Sequence, residues 1–179
     1  MNIIMITGSP HKKGTSELLA DEFERGALNA GHSVSRFDAA FMDIAPCAAC
    51  DFCLSSGECC AEDNMRILTD ELLKADAAVF VTPIYYFGMS AQLKRVIDRF
   101  YAVNSTLEKQ KKRAVLLATC ADDRPWVWEP LVTHFEAICR YLGWENSGEL
   151  IASGVSVRED IEKTDCPGRA YELGIELRD

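Results

Sequence analysis

The sequence has no long apolar run and no excess of positive charge. Its apolar stretches fall well short of the roughly 18 consecutive residues that a membrane-spanning helix needs, so we expect no membrane insertion. Its 19 lysines and arginines are outnumbered by 28 aspartates and glutamates, which gives a formal net charge of −9. A field of that sign repels nucleic acid and anionic membrane surfaces. We therefore expect neither as a partner.

Histidines and familiar nucleotide-binding motifs are also scarce. The chain has 3 histidines, and none has an aspartate or serine at a spacing that suggests a catalytic triad, so a hydrolase would lack its nucleophile and base. The glycine loop at residues 8–16 is neither G-x-G-x-x-G nor G-x-x-x-x-G-K-[ST], which argues against dinucleotide and nucleoside triphosphate sites. The apolar segment 2–7 has no basic leader and no cleavage site. We therefore expect a cytoplasmic protein.

Cysteine, in contrast, is abundant and clustered. Of the 8 cysteines, four form a C-x2-C-x2-C-x5-C run made of Cys47, Cys50, Cys53 and Cys59. Cysteines in a cytoplasmic chain argue against a disulfide framework and favour metal or redox chemistry. An iron-sulfur cluster, a zinc site and a metal-free run are the three interpretations of this spacing. Cys60, next to Cys59, leaves open which thiol would be the fourth ligand.

Apolar periodicity predicts strands that alternate with helices. The predicted strands cover residues 2–7, 33–37, 77–82, 114–119 and 150–152. The predicted helices cover residues 16–30, 62–75, 93–100, 128–142 and 170–177. This alternation predicts an α/β fold with a flavodoxin-like, doubly wound, five-stranded parallel sheet in the order 2-1-3-4-5 and helices on both faces. We expect one domain over residues 1–179, with an irregular cysteine-rich loop at about 46–60 and a solvated basic turn at 109–113.

In such a sheet, ligands bind beyond the carboxyl ends of the strands, where the strand order reverses. The loop after the first strand offers the hydroxyls of Ser9, Thr15 and Ser16, and the helix that follows adds free N–H groups and a positive dipole end. These donors suit a phosphate monoester. The loop after the third strand has three aromatic residues at 85–87. They either wall a planar ring or cover a core edge or a subunit contact.

These motifs together resemble a known family. The loop Gly8-Ser9-Pro10 with Gly14-Thr15-Ser16, the four cysteines, and the segments 63–65, 82–86, 90–94 and 97–99 are similar to the NAD(P)H-dependent FMN reductase superfamily, and within it to the iron-sulfur flavoproteins. The similarity extends over nearly the whole chain. It implies a flavodoxin-like fold, FMN as cofactor, flavin-dependent oxidoreductase activity, and assembly into homodimers or homotetramers.

Carried over by position, the resemblance implies two sets of FMN-binding residues. The phosphate set is Ser9, Lys12, Thr15 and Ser16, and we add His11 as a further candidate contact of the phosphate. The set around the isoalloxazine ring is Pro83, Ile84, Tyr85, Tyr86, Phe87 and Gly88. To this ring set we add Thr119 and Cys120 as candidate contacts, because they end the fourth predicted strand at the same edge of the sheet. Two positions depart from the family pattern. His11 replaces a frequent arginine and removes a permanent positive charge, whereas Thr15-Ser16 replaces an Asn-Thr pair and keeps a hydroxyl.

Two side chains of the loop at residues 119–128 have two interpretations each. Cys120 either approaches the flavin or is a small buried residue. Trp126 either stacks over the flavin or a nicotinamide, or closes a subunit interface. We predict no catalytic side chain, because the flavin itself carries the chemistry.

For the cysteine run, the resemblance implies a [4Fe-4S] cluster held by Cys47, Cys50, Cys53 and Cys59. With a cluster, the protein would exchange electrons with a partner such as ferredoxin. Without one, it would be an NAD(P)H-dependent reductase of free flavin or a quinone. A redox- or metal-responsive binding protein, which switches through its cysteine loop, is a third interpretation from a different functional class.

Overall fold

The computed structural model describes residues 1–178 and contains a sheet of five long parallel strands and one short antiparallel strand. The strands are β1 (Asn2–Thr7), β2 (Ser33–Asp38), β3 (Ala77–Tyr85), β4 (Gly88–Met89), β5 (Arg113–Thr119) and β6 (Glu145–Ala152). The five long strands lie in the order β2-β1-β3-β5-β6. This is the predicted order 2-1-3-4-5 when β4 is not counted. The flavodoxin-like α/β class is confirmed, and β4, which pairs with the end of β3, was not predicted.

Helices cover both faces of the sheet. They are α1 (Thr15–Asn29), α2 (Phe52–Ser56), α3 (Met65–Lys74), α4 (Ala91–Asp98), α5 (Asn104–Leu107), α6 (Glu129–Leu142), α7 (Arg158–Ile161) and α8 (Cys166–Glu176). Short 3-10 turns occupy Ala39–Phe41, Arg99–Val103 and Pro125–Val127. Within residues 1–178, none of the helices combines the length and the apolar character that a membrane span requires.

The core is divided into two layers by the sheet. Alternate residues of β1 point to opposite faces, because side chains along a strand repeat with a period of two. Ile4 and Ile6 join a cluster that includes buried residues of α3, α4 and α6. Ile3 and Met5 join the other cluster, with α1 and α8. Because both faces are covered, the central strands are continuous apolar runs, which is why the sequence reveals them.

The last strand is longer than predicted. β6 begins at Glu145, whereas the apolar run predicted only residues 150–152. In the described sheet, β6 pairs only with β5, and its first half is exposed or half-buried. Polar residues can extend an edge strand at no burial cost, so an apolar run marks only its buried end.

The basic run at 109–113 is only partly the solvated turn that we predicted. The Lys112 side chain is buried, and its ammonium donates a hydrogen bond to the backbone oxygen of Ala75, the residue that directly follows α3. Burial lowers the pKa of Lys112. The charge is accepted there because the carboxyl end of a helix presents unpaired carbonyl groups. This partner lies 37 residues away, so the sequence pattern did not show it.

Helices α1 and α8 approach each other through glycines, which leads to a stability prediction. A Cβ atom on Gly26 would overlap the backbone oxygen of Tyr171 in α8, so a methyl group must push the helices apart. We expect Gly26→Ala to lower the free energy of unfolding by about 2 kcal/mol, as in other overpacked cores. The measurement is urea unfolding followed by circular dichroism.

Gly168→Ala is the matched control for this prediction. Gly168 lies in α8 as well, and a Cβ atom there would meet nothing within 4 Å. Because alanine favours a helix over glycine, we expect this variant to be unchanged or slightly more stable. Equal unfolding midpoints for the two variants would contradict a close helix contact at Gly26.

Candidate functional site

The loop after β1 is held against the turn that follows β3. The Gly8 amide donates to the Val81 oxygen at 2.8 Å, and the Ser90 hydroxyl donates to the Gly8 oxygen at 2.7 Å. A side chain does not fit at Gly8, because a Cβ atom there would lie 2.7 Å from the Cβ of Leu93. The carboxyl ends of β1 and β3 are therefore joined at the point where the strand order reverses.

The same loop is tied to the end of β5 by hydroxyl groups. The Thr15 hydroxyl donates to Thr119 Oγ1 at 3.1 Å, and the Ser16 and Thr119 hydroxyl oxygens are 2.8 Å apart. Ser16 and Thr119 are both buried. Thr15 and Ser16, which were predicted to bind the FMN phosphate, thus contact Thr119, which was predicted to lie near the flavin ring. This contact joins the loops, so the structure gives these hydroxyls a positioning role.

The amino end of α1 is the candidate anion site. The first N–H groups of a helix have no partner within the helix, and within residues 1–178 no side chain caps them at Gly14. A cleft at this end is lined by Ser9, His11, Lys12 and Ser16. Lys12 extends its ammonium to 4.6 Å from the centre of the Phe41 ring. Free amides, a dipole end and a lysine together fit a phosphate group.

Arg36 lines the same cleft, although the sequence analysis did not single it out. Its guanidinium contacts Asp21 at 2.7 Å and Asp38 at 3.2 Å. Burial opposes the charged form, but these carboxylates outweigh it and raise the pKa of Arg36. Because neighbouring carboxylates already balance this charge, Lys12 remains the better partner for an anion. The predicted strand order 2-1-3 brings the end of β2 beside the end of β1. That adjacency could have indicated that Arg36, which lies in β2, is close to the cleft.

The turn between β3 and β4 is a tight hairpin with aromatic residues at its centre. Tyr86 and Phe87 have positive φ angles of 45° and 67°, and Tyr85 pairs with Gly88 across the hairpin. Two consecutive positive φ angles define the type I′ turn, which usually contains asparagine or glycine. Aromatic residues in this conformation are strained, and such strain is concentrated at functional sites.

The hairpin and the loop after β5 form one aromatic wall, defined here as Tyr86, Phe87 and Trp126. The rings of Phe87 and Trp126 lie 5.2 Å apart, and Tyr86 is fully exposed. Pro83 is buried and Ile84 packs against the core, so these two predicted ring contacts support the wall from below. Tyr85 is exposed and Gly88 is half-buried in β4. The wall offers an exposed aromatic surface beyond the carboxyl ends of β3 and β5.

Cys120 directly follows β5 and is buried. Its thiol donates to the Asp122 backbone oxygen at 3.2 Å, and burial raises the pKa of the Cys120 thiol. A neutral thiol that is already hydrogen-bonded favours the interpretation of Cys120 as a small buried residue over an approach to the flavin. Nearby, the guanidinium carbon of Arg124 lies 5.0 Å from the centre of the Trp126 ring and covers part of it.

A second candidate site is the cysteine pocket, a cavity of about 140 Å³ beside the end of α4. Its cysteines are Cys47, Cys50, Cys53, Cys59 and Cys60. Cys53 is half-buried and the other four are exposed. Within residues 1–178, no three histidine, cysteine, aspartate or glutamate side chains are grouped as ready metal ligands. The structure gathers all the predicted ligands around one cavity but does not place them in ligand geometry.

The cysteine loop, residues 46–62, is closed at both ends by a buried ion pair. Arg99 and Asp63 meet at 2.7 Å, and their side chains are 3% and 6% exposed. Arg99 also donates to the Ala45 oxygen at 2.8 Å. Asp63 accepts hydrogen bonds from the Ala45 and Met65 amides. In the sequence, Asp63 and Arg99 are parts of the family pattern, and no local signal indicates that they pair.

Arg99 provides the test of whether a metal centre fits the pocket. Burial opposes its charge, but Asp63 and, to a smaller extent, the Cys59 side chain raise the pKa of Arg99. Within residues 1–178, the Arg99 Nε has no hydrogen-bond partner, which is rare for a buried N–H group. Metal-bound thiolates are anionic and accept hydrogen bonds at sulfur. The thiols and this free N–H donor fit a thiolate-bound centre.

The two candidate sites lie at opposite ends of one helix. Ser90 caps α4 by accepting a hydrogen bond from the Leu93 amide, and it holds the loop after β1 through Gly8. Arg99 directly follows the helix and lines the cysteine pocket. At about 1.5 Å per residue, Ser90 and Arg99 lie about 13 Å apart along the helix axis. The loop after β1 and the cysteine pocket are therefore both anchored to α4.

Comparison with solved structures shows the same architecture in known proteins. An NAD(P)H:quinone oxidoreductase from Methanothermobacter marburgensis matches 100% of this chain and 98% of its own, with a TM-score of 0.80 and 20% identity. An FMN-dependent NADH-azoreductase from Bacillus anthracis, solved with FMN, matches 100% of both chains, with a TM-score of 0.71 and 13% identity. At these identities the likeness establishes the fold alone.

Comparison of the sequence with curated proteins gives closer relatives. Two iron-sulfur flavoproteins of Archaeoglobus fulgidus are 33% identical over 99 residues and 37% identical over 101 residues. The alignments cover 55% and 56% of this chain, and 45% and 51% of the relatives. The chain thus spans about half the length of the curated relatives that it matches. The model of the NADPH-dependent FMN reductase family matches residues 1–127, which is more than half of the chain, and the protein belongs to this family.

Proposed function

We propose that the protein is an FMN-dependent oxidoreductase of the iron-sulfur flavoprotein type, with FMN at the carboxyl edge of the sheet and a [4Fe-4S] cluster in the cysteine pocket. The observation that carries the proposal is the placement of both candidate sites on α4. Ser90 connects one end to the phosphate loop, and Arg99 places the other end at the cysteines. Two redox sites on one helix suit a protein that passes electrons.

The chain's own residues bind and orient the cofactors in this proposal. The amino end of α1, with Ser9 and Lys12, binds the phosphate of FMN. The aromatic wall, Tyr86, Phe87 and Trp126, positions the ring and excludes water from one of its faces. When bound, FMN supplies two-electron and one-electron chemistry, and the cluster supplies one-electron transfer.

Cys47, Cys50, Cys53 and Cys59 are the proposed ligands of the cluster. Arg99 holds the ends of their loop through Asp63 and Ala45, and it offers its free Nε–H group to a sulfur acceptor. The names of the two Archaeoglobus fulgidus relatives cited above and the cysteine spacing support the cluster. The proposed partners in electron transfer are NAD(P)H, ferredoxin or a quinone. We propose that the protein works in the cytoplasm and assembles into a homodimer or homotetramer.

A reductase without a cluster is the second candidate function. The observation that favours it is the exposure of the aromatic wall, since Tyr86 is fully exposed and Trp126 is 49% exposed. Such a surface is open to a planar acceptor such as a quinone. In this case the cysteine pocket takes no part in turnover, and NAD(P)H oxidation coupled to quinone reduction continues when the cysteines are alkylated.

The deciding experiment is the composition of protein purified without oxygen. We expect one FMN together with about four iron and four sulfide ions per chain, and a broad absorption shoulder near roughly 400 nm. FMN without iron would leave the reductase as the function. To test the phosphate cleft separately, the apoprotein is titrated with FMN and with riboflavin, which lacks the phosphate group. We expect FMN to bind more tightly, and equal affinities would contradict the assignment of the cleft.

A further inference from the structure

The cysteine pocket contains one thiol more than a four-thiolate centre uses. Cys60 lies outside the proposed ligand set, yet its sulfur is 3.6 Å from the sulfur of Cys50. Within residues 1–178, no other two cysteine sulfurs lie in hydrogen-bonding contact. Both residues are exposed. Cys60 is therefore in contact with one proposed ligand, Cys50, and is accessible to small reagents.

A covalent bond within this pair requires only a small movement of the loop around it. A disulfide requires sulfurs about 2.05 Å apart, so the two side chains must approach by about 1.5 Å. Cys50 lies between Ala49 and Asp51, whose φ angles are 51° and 56°, in a segment without regular secondary structure just before α2. The buried ion pair holds the ends of the cysteine loop, so this movement leaves the fold intact.

We propose that Cys50 and Cys60 form a reversible disulfide when no metal is bound, and that this disulfide blocks cluster assembly. The inference rests on the proposed function in that Cys50 is taken as a cluster ligand. The bond makes Cys50 unavailable as a ligand. It also ties up Cys60, the sequence neighbour that could replace Cys59 in the ligand set. Disulfides in cytosolic proteins are typically transient and redox-sensing, and this one couples metal loading to the thiol redox state.

The oxidant is a low-molecular-weight disulfide such as oxidised glutathione. The Cys50 thiolate attacks one sulfur of the oxidant, and the first glutathione leaves as its thiolate. The Cys60 thiolate then attacks the Cys50 sulfur of the mixed disulfide, and the second glutathione leaves. The two cysteines lose two electrons and two protons in total, and the oxidant gains the two electrons. A dithiol reductant reverses the reaction.

The experiment treats the metal-free protein with oxidised glutathione, alkylates the remaining thiols, and maps cross-linked peptides by mass spectrometry. We expect a Cys50–Cys60 link in the wild type and in Cys59→Ser, and none in Cys60→Ser. Cys59→Ser is the matched control, because it removes the adjacent thiol and leaves the pair intact. A link from Cys50 to Cys59, or no link at all, would overturn the proposal.

A second measurement connects the disulfide to metal loading. Oxidised wild type is incubated with ferrous iron and sulfide before and after treatment with dithiothreitol. We expect loss of iron uptake in the oxidised sample and full recovery after reduction. Equal uptake in both samples would overturn the blocking role. If the link forms but the reduced protein and Cys60→Ser both take up no iron, the proposed function fails while the disulfide stands.

Discussion

Replacing Cys53 with alanine is expected to remove nearly all iron from protein purified without oxygen, while FMN stays bound. Among the proposed ligands, Cys53 is the clearest one to test, because it has no neighbouring cysteine to take its place, whereas Cys59 is followed by Cys60. It lies in α2 and is half-buried at the cysteine pocket. A cubane cluster held by four thiolates loses one of its anchors, and the remaining ligands do not retain it through purification.

Cys139→Ala is the matched control for this result. Cys139 is buried in α6 within the core, and burial raises the pKa of its thiol to about 11, so it remains a neutral thiol away from the pocket. We expect its iron, sulfide and FMN contents to equal those of the wild type. Iron retained in Cys53→Ala would remove Cys53 from the ligand set, and iron lost from both variants would indicate unfolding.

Replacing Asp63 with asparagine is expected to lower the free energy of unfolding by about 3 kcal/mol. The change leaves the buried Arg99 guanidinium without its carboxylate, and breaking one side of a buried pair costs about 3–5 kcal/mol. The lower end applies because Arg99 keeps the Ala45 oxygen as a partner. The measurement is urea unfolding of the reduced, metal-free protein, so that cluster loss does not contribute.

Asp122→Asn is the control for the loss of a carboxylate near an arginine. Asp122 pairs with Arg124 on the surface, and the bonds from Arg124 hold the pKa of Asp122 at about 2. Exposed pairs of this kind contribute little, so we expect no measurable change in the unfolding midpoint. If Asp122→Asn lowers the free energy of unfolding as much as Asp63→Asn does, the loss of a negative charge, and not the loss of the buried pair, explains the destabilisation.

The stabilisation by Asp63 also has a defined pH dependence. Burial alone would raise the pKa of Asp63, but hydrogen bonds from Arg99 and from the Ala45 and Met65 amides outweigh it and hold the pKa below its ordinary value. A carboxyl whose pKa is lowered in the folded state stabilises the fold above its unfolded pKa of about 3.9 and loses this effect as pH falls. The difference between wild type and Asp63→Asn should be constant near neutral pH and shrink below about pH 4.

Features that depend on short stretches of chain were predictable from the sequence. The buried strands β1, β3 and β5 are unbroken apolar runs, because each is covered on both faces. The glycine loop before α1 predicts an anion site through local backbone chemistry, and that site stays a prediction. The spacing of the cysteines placed them in one loop, and the structure brings them to one pocket. Their metal, and the FMN contacts carried over by position, stay predictions.

Contacts between distant segments were decided by the tertiary structure. The Arg99–Asp63 pair joins residues 36 positions apart, and the Ser16–Thr119 contact joins residues 103 positions apart. Neither pair has a local signal, since a charged or hydroxyl side chain in isolation is equally suited to solvent. The same is true of Lys112, which is buried only because the end of α3 lies beside it.

By itself, the sequence determined the α/β class, the strand order and the residue types available at each loop, because periodicity and turn chemistry act over a few residues. Only the tertiary structure decided that the Tyr86–Phe87 turn faces Trp126, that a buried arginine closes the cysteine loop, and that Cys60 touches Cys50. The physical reason is that contacts between distant residues depend on how all the strands and helices pack together, and no short stretch of the chain determines that packing.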